Sequence, residues 1–290
     1  MICVLMPSYD RPSIIDVTLP RWLEARDVSR VIVVAEASSE EGLRWYEDVL
    51  SRYNERVIYV LGRGRLGSVS ARNKLLELAV KNNCGYGLMV DDDYLLPDRT
   101  FTRLMKAYLD HHPDVGAVGG RVIPLRRRAV DPDFFLNTPI PIADTLTRLT
   151  GYIFLDVRNG PRYAEYLPHF FMIRGELLSR VRYSKAFETP TAFREESDVH
   201  MQIKKLGYRL LLIPQVYVYH LVLEEGGDRP RMTMKERIYW KSRNHTKFVT
   251  KWVKSPIIKT WYLLNMVLTL TLYRPQHISA ILRGIRDGLT

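Results

Sequence analysis

Leu88-Met89-Val90-Asp91-Asp92-Asp93 ends an apolar run, begun at Gly85, in three consecutive carboxylates. The run is short enough for a buried strand. In an open α/β sheet, ligands bind beyond the carboxyl ends of the strands. Three acids there repel one another unless a cation or hydrogen-bond donors stand among them. Carboxylate oxygens suit Mg²⁺ or Mn²⁺, ions that usually hold substrate phosphates as well. One reading is therefore a metal–diphosphate site. The other is a helix start with acids in its first turn, Pro97 opening the helix beyond.

Working back from the acids, Ser70 to Lys81 has the apolar spacing of a helix, and Val57 to Leu61 that of a strand. Between them, Gly62-Arg63-Gly64-Arg65-Leu66-Gly67-Ser68 offers backbone N–H groups and two guanidinium groups to a phosphate. It lacks the Gly-Lys-Ser/Thr of a P-loop. Arg30 to Ala35 is a further strand, closed by Glu36 and serines that can cap a helix through Trp45 and Leu50. Thr18 to Ala25 reads as helix. Ile2 to Met6 reads as the first strand, with Pro7-Ser8-Tyr9-Asp10-Arg11-Pro12 as its loop. Strands alternating with helices at this spacing imply βαβ units and a mostly parallel sheet.

Beyond the acids, Thr100 to His111 reads as helix and Val115 to Val118 as a short strand. Arg126-Arg127-Arg128 is a basic run. From Asp131 to Pro168 regular periodicity fails, which implies a mobile loop region over the site. Phe170 to Ile173 is a strand and Glu176 to Val181 a short helix. Glu195-Glu196-Ser197-Asp198 opens a helix that stops at Gly207. Leu210–Ile213 and Val216–Tyr219 read as two strands broken by Pro214, leading to His220.

The formal charge of +11 favours an anionic partner: nucleotide, nucleic acid or acidic membrane surface. Two cysteines, Cys3 and Cys84, exclude a disulfide framework and fit a reducing compartment. The apolar start is too short and uncharged for a signal peptide. Three glutamines against many arginines point toward a heat-adapted source.

Taken together, these residues resemble the family 2 glycosyltransferases, the inverting family with the GT-A fold. Pro7-Ser8-Tyr9-Asp10-Arg11 resembles the family's first-strand loop, and Glu36 stands where an acid-and-serine turn reads the nucleoside. Gly67 followed by Ala71-Arg72-Asn73 matches the family's Gly and Ala-Arg-Asn. Asp91-Asp92-Asp93 matches its Asp-x-Asp element, and Glu195-Glu196-Ser197-Asp198 its Glu-Asp-x-Asp/Glu. His220 sits where many members place a further metal ligand. The Gln-x-x-Arg-Trp signature of processive synthases is absent, which argues for adding a single sugar.

The resemblance implies a Rossmann-like, mostly parallel sheet over residues 1–225. It implies that Pro7, Tyr9, Arg11, Glu36, Gly67, Arg72, Asp91 and Asp92 bind a nucleotide-diphosphate sugar. Asp93, with Asp91 and His220, would hold Mg²⁺ or Mn²⁺. The family's base position is Glu196, one methylene longer than the usual Asp, with Asp198 as the second candidate. Positions 195 and 198 share a helical face, whereas 196 turns away from it.

Residues 226–290 read as a basic, then apolar, helical tail. Trp240, Phe248 and Trp252 interleave with lysines and arginines, and Trp261 to Tyr273 carries no charge. This suits an acidic membrane surface, or packing on the domain or on a second subunit as a homodimer. Peripheral contact at the inner face of the cell membrane, with a lipid-linked or surface-glycan acceptor, is the expectation. A nucleotidyltransferase is the first rival, but its first-strand loop would carry glycine and lysine. A basic nucleic-acid-binding protein is the second. It explains the charge but not two acid clusters near strand ends, so no nucleic-acid partner is expected.

Overall fold

Five consecutive residues of the first strand, Ile2, Cys3, Val4, Leu5 and Met6, are fully buried. A strand covered on both faces reads as an unbroken apolar run, and that places it at the centre of a sheet. The computed structural model of the chain describes residues 1–125, 143–153, 160–190, 193–221 and 232–290.

The first half is β1 (Ile2–Tyr9), α1 (Pro12–Leu23), β2 (Val28–Ala37), α2 (Glu40–Ser51), β3 (Val57–Arg63), α3 (Ser68–Lys81) and β4 (Tyr86–Met89). Then come β5 (Tyr94–Leu95), α4 (Phe101–His111), β6 (Val115–Leu125), α5 (Ala143–Thr150), β7 (Arg162–Tyr163), β8 (Phe171–Arg174) and α6 (Gly175–Leu178). The rest is α7 (Glu195–Lys205), β9 (Arg209–Leu221), α8 (Met234–Trp252), α9 (Pro256–Tyr273) and α10 (Ile278–Leu289). The sheet order is β3-β2-β1-β4-β8-β6-β9-β5, with β7 on β9. β1 pairs in parallel with both β2 and β4. The chain thus winds outward in opposite directions from β1, and the loops after β1 and β4 flank a switch point, where such sheets bind ligands. One apolar layer, around Trp22, Val33 and Met105, lies on one face. The other, around Leu75, Phe171 and Val249, covers the opposite face.

Several sequence expectations are corrected. Pro214 does not split two strands: β9 is continuous, and its pairing with β6 shifts register between Gly119 and Arg121. Proline has no N–H to give a ladder, and such an irregularity is where a strand tolerates it. The stretch 131–168 contains α5 and β7 among its described residues. Residues 131–142 and 154–159 of that stretch lie outside the described residues, as do Arg126-Arg127-Arg128 and the 225/226 boundary. Of the alternatives open for the tail, packing on the domain is met in part, since Phe248 and Val249 of α8 belong to the second core layer. α10 packs on α8 so closely that a Cβ at Gly284 would come 2.6 Å from the Tyr239 carbonyl oxygen. Among the described residues no helix is long and apolar enough to cross a membrane.

The two cysteines are not free thiols. Cys3 and Cys84 form a disulfide, with Cα atoms 5.8 Å apart. They are 81 residues apart in sequence and meet because β1 and β4 are sheet neighbours. Closing so long a loop stabilises by roughly 4–5 kcal/mol on the chain-entropy model. The Cys3→Ser, Cys84→Ser double variant is therefore expected to melt well below the parent in non-reducing buffer. Equal melting temperatures would show that the bond adds nothing.

Candidate active site

The loops after β1 and β4 are tied by hydrogen bonds. Ser8 Oγ donates to Asp92 Oδ2 at 2.6 Å and contacts the Tyr46 hydroxyl at 2.6 Å. Thr18 Oγ1 donates to the Asp92 carbonyl at 2.8 Å. Arg11 Nη1 lies 2.8 Å from Asp93 Oδ2 and 3.3 Å from Asp92 Oδ1. Burial, and then the charge of Asp93, push the Asp92 carboxyl up to about 7. The middle acid of the triplet thus serves to lock the two loops together.

Asp93 faces His220, with Nε2 3.3 Å from Oδ2. The register places them: β5 pairs with β9 as Tyr94↔His220, and Leu221 N donates to the Asp93 carbonyl at 2.9 Å. Asp93 Oδ1 is buried with no hydrogen-bond partner. An orphaned carboxylate oxygen beside an imidazole is the donor chemistry that Mn²⁺ or Mg²⁺ takes. The expected ligand set is nevertheless divided. Asp91 turns the other way, its Oδ1 3.0 Å from His169 Nε2 and 3.3 Å from Arg72 Nη2. Among the described residues no group of three or more His, Cys, Asp or Glu is arranged to hold a metal ion.

Arg72 joins the two acid clusters. Its Nη1 lies 3.1 Å from Glu195 Oε1 and 3.4 Å from Glu196 Oε1. Its Nη2 reaches Asp91 and, at 3.0 Å, His169 Nε2. The guanidinium is buried and also lies over the Tyr183 ring. The structure therefore spends Arg72, expected at the diphosphate, on the carboxylates beneath it. Three carboxylates around it hold its pKa well above the usual value, against the pull of burial.

His169 had no signal of its own in the sequence. It bridges the clusters, with Nδ1 3.2 Å from Glu196 Oε1 and Nε2 on Asp91. Strand pairing explains this. β4 and β8 are antiparallel with Met89↔Phe171, so two residues on, Asp91 faces His169. Only the pairing of two strands distant in sequence, Met89 with Phe171, discloses that neighbour.

The acids of α7 differ in exposure. The Glu195 side chain is fully buried and that of Glu196 is 19% exposed. Burial, followed by the charge of Glu196, pushes Glu195 up to about 8. Before them stands Arg194, a non-glycine residue at φ 76°. That left-handed conformation persists only where surroundings enforce it. Here Arg194 Nη2 contacts His245 Nδ1 at 2.8 Å and donates to the Gly151 carbonyl, and the guanidinium lies 4.5 Å from the Phe248 ring centre.

Asp198 points away from Arg72. Its Oδ1 accepts from Trp252 Nε1 at 2.7 Å and lies 2.6 Å from Lys251 Nζ, and its Oδ2 accepts from Gln202. α8 thus clamps the helix that carries the acids. Asp198→Ala would remove a fully buried acceptor shared by Trp252, Lys251 and Gln202 and is expected to lower stability by roughly 1–3 kcal/mol. Denaturant melts of this variant and the parent check it, and superimposable curves would remove the clamp.

On the far side of the switch point, Glu36 is paired in register with Tyr9. Its Oε2 accepts from Leu66 N at 3.1 Å, closing the arginine-rich loop. Pro7 and Tyr9 are half-buried at the same edge. Gly67 caps α3 at φ +93°, and a Cβ there would come 2.1 Å from Glu188 Oε1. Glu188, which no spacing in the sequence singles out, also accepts from Ser70 Oγ at 2.6 Å.

A mixed sheet wound in both directions from β1 and flanked by helices is the layout of the GT-A glycosyltransferases. Solved structures of that class share it. The Pyrobaculum calidifontis mannosyltransferase PcManGT, in complex with GDP-Man and Mn²⁺, superposes with a TM-score of 0.60 at 15% identity, covering 99% of this chain and 86% of that one. Residues 1–349 of S. aureus TarS, in complex with UDP-GlcNAc, give 0.62 at 18%, covering 99% and 81%. GalNAc-T7 with UDP, GalNAc and Mn²⁺ gives 0.64 at 13%, covering 99% of this chain but 54% of that one. At such identities the likeness is one of fold. The sequence profile described as "Glycosyl transferase family 2" matches residues 3–180, and the chain belongs to that family. No curated protein sequence matches it.

Proposed function

We propose that this glycosyltransferase moves a single sugar from a nucleotide-diphosphate sugar to an acceptor hydroxyl, with inversion and with a divalent cation. The observation that carries the reading is the pair of acid clusters held within hydrogen-bond reach of one buried arginine. One cluster serves the leaving group and the other the nucleophile. Solved neighbours in complex with GDP-Man and Mn²⁺, with UDP-GlcNAc, and with UDP, GalNAc and Mn²⁺ support a nucleotide-sugar donor and a divalent cation.

In this reading Pro7, Tyr9, Arg11, Glu36 and Gly67 line the nucleotide, at the edge of β1, β2 and α3. Asp93 and His220 would hold the cation, with Asp91 reaching it through water or meeting the ribose. Bound there, a cation supplies charge neutralisation at the departing diphosphate. Glu196, the more accessible member of the pair, takes the proton from the acceptor hydroxyl as its oxygen bonds to the anomeric carbon. The bond from that carbon to the diphosphate oxygen breaks in the same displacement, so configuration inverts. Arg72 and His169 orient Asp91 and Glu196. The localisation expected from the sequence, the inner face of the cell membrane, is kept. A disulfide is no obstacle there in hyperthermophiles, whose intracellular proteins carry them.

A panel of nucleotide-diphosphate sugars, assayed with Mn²⁺ for nucleoside-diphosphate release, tests the reading. Turnover of one donor is expected. Pyrophosphate release from a nucleoside triphosphate, with no donor turned over, would assign the nucleotidyltransferase reading instead.

A further inference from the structure

Among the described residues, nothing covers one side of the last two helices. On α9, Ile257, Trp261, Leu264, Leu268 and Leu272 recur every three or four residues and form a single stripe. All five are exposed, Ile257 at 82% and Leu272 at 76%. Met266 and Leu270, on the opposite side of the helix, are buried. α10 repeats the pattern, with Ile278, Leu282 and Leu289 exposed and Ala280, Ile281, Gly284 and Gly288 buried. Large exposed apolar faces mark an interaction surface.

The rim says what covers it. From position 254 onward the chain carries Lys254, Lys259, Arg274, Arg283 and Arg286. Its one acid there, Asp287, accepts from Tyr239 and Arg286. Two copies meeting stripe to stripe would bring these like charges together, which opposes self-association. An anionic lipid surface satisfies both features, because it takes up apolar side chains and attracts the basic rim. Aromatic residues stand toward the two ends of the stripe, Trp261 near its start and Tyr273, under the Arg274 guanidinium, at its finish. Aromatic rings favour the depth of lipid headgroups.

We infer that α9 and α10 lie in the plane of an anionic lipid surface, apolar stripes inward, and dock the enzyme there. The docked side adjoins the acids of α7. Trp261 Nε1 donates to the Leu149 carbonyl, and the Gly151 carbonyl accepts from Arg194, directly before Glu195. If the transfer reading holds, which this last step alone requires, the acceptor side of the site is the side nearest the lipid.

The test is co-sedimentation of the full chain with vesicles of phosphatidylcholine, alone or with an equal part of phosphatidylglycerol, at low and high salt. Binding is expected to the anionic vesicles and to weaken as salt screens the rim. The Leu264→Glu, Leu268→Glu double variant changes exposed positions only, and should melt like the parent. Its partition onto anionic vesicles should fall about tenfold or more, since it trades buried apolar surface for like-charge repulsion. A parent that stays in the supernatant, or a variant that pellets equally, overturns the inference. So does a parent dimer in sedimentation velocity that the same variant disperses while no vesicles are bound. Nucleoside-diphosphate binding, measured without vesicles, reports on the transfer reading separately, so either can fail alone.

Discussion

Glu196→Gln is expected to slow sugar transfer by about 10²–10⁴-fold, the range for loss of a general base. Glutamine keeps the shape and the contacts with Arg72 Nη1 and His169 Nδ1, which lie 3.4 and 3.2 Å from Glu196 Oε1. It removes the basicity, so donor affinity should hardly change. Comparing kcat with the donor dissociation constant in parent and variant checks both halves. Asp198, the other candidate, has its carboxylate engaged by α7 and α8 rather than facing the acids around Arg72. Should Asp198→Asn abolish turnover in a folded protein while Glu196→Gln turns over normally, the base would be Asp198. If neither matters, inverting transfer itself is in doubt.

Arg72→Leu is expected to cost about 3–5 kcal/mol of folding stability, the scale for removing one partner of a buried ion pair. Asp91, Glu195 and Glu196 all lie within 3.4 Å of its guanidinium, and Glu195 is fully buried. Without that cation the three carboxylates repel in a medium that screens poorly. Arg72→Lys should restore only part of the loss, because an ammonium cannot reach carboxylates on both sides as the planar fork does. Urea melts of both variants measure this. A leucine variant as stable as the parent would mean that the acids do not depend on Arg72.

Much of this was open to sequence reasoning because it is local. The apolar runs of β1 and β2, the acids after Val90, and the glycine and arginine at Gly67 and Arg72 are legible within a few residues. What escaped depends on pairing between distant segments. His169 meets Asp91 only through the β4–β8 register, and Cys3 meets Cys84 only because β1 and β4 are neighbours. The division of the acids also escaped. Chain order treats Asp91 and Asp93 as one motif, yet Arg72 draws the first toward α7 while His220 faces the second. The brace on α7 was hidden for another reason. Arg194 and Asp198 look like ordinary helix-start residues until Phe248, His245 and Trp252 of α8 are brought against them.

The proposed transfer rests on the acids after β4 binding a nucleotide-diphosphate sugar through a divalent cation. Titration calorimetry of the donor found in the panel, with Mn²⁺ and with chelator, for the parent and for Asp93→Ala, addresses it most directly. Mn²⁺ is expected to tighten binding by at least about tenfold, or 1.4 kcal/mol, in the parent and to have no effect in the variant. Equal affinity with and without Mn²⁺ in the parent, or undiminished metal-dependent binding by Asp93→Ala, would contradict it.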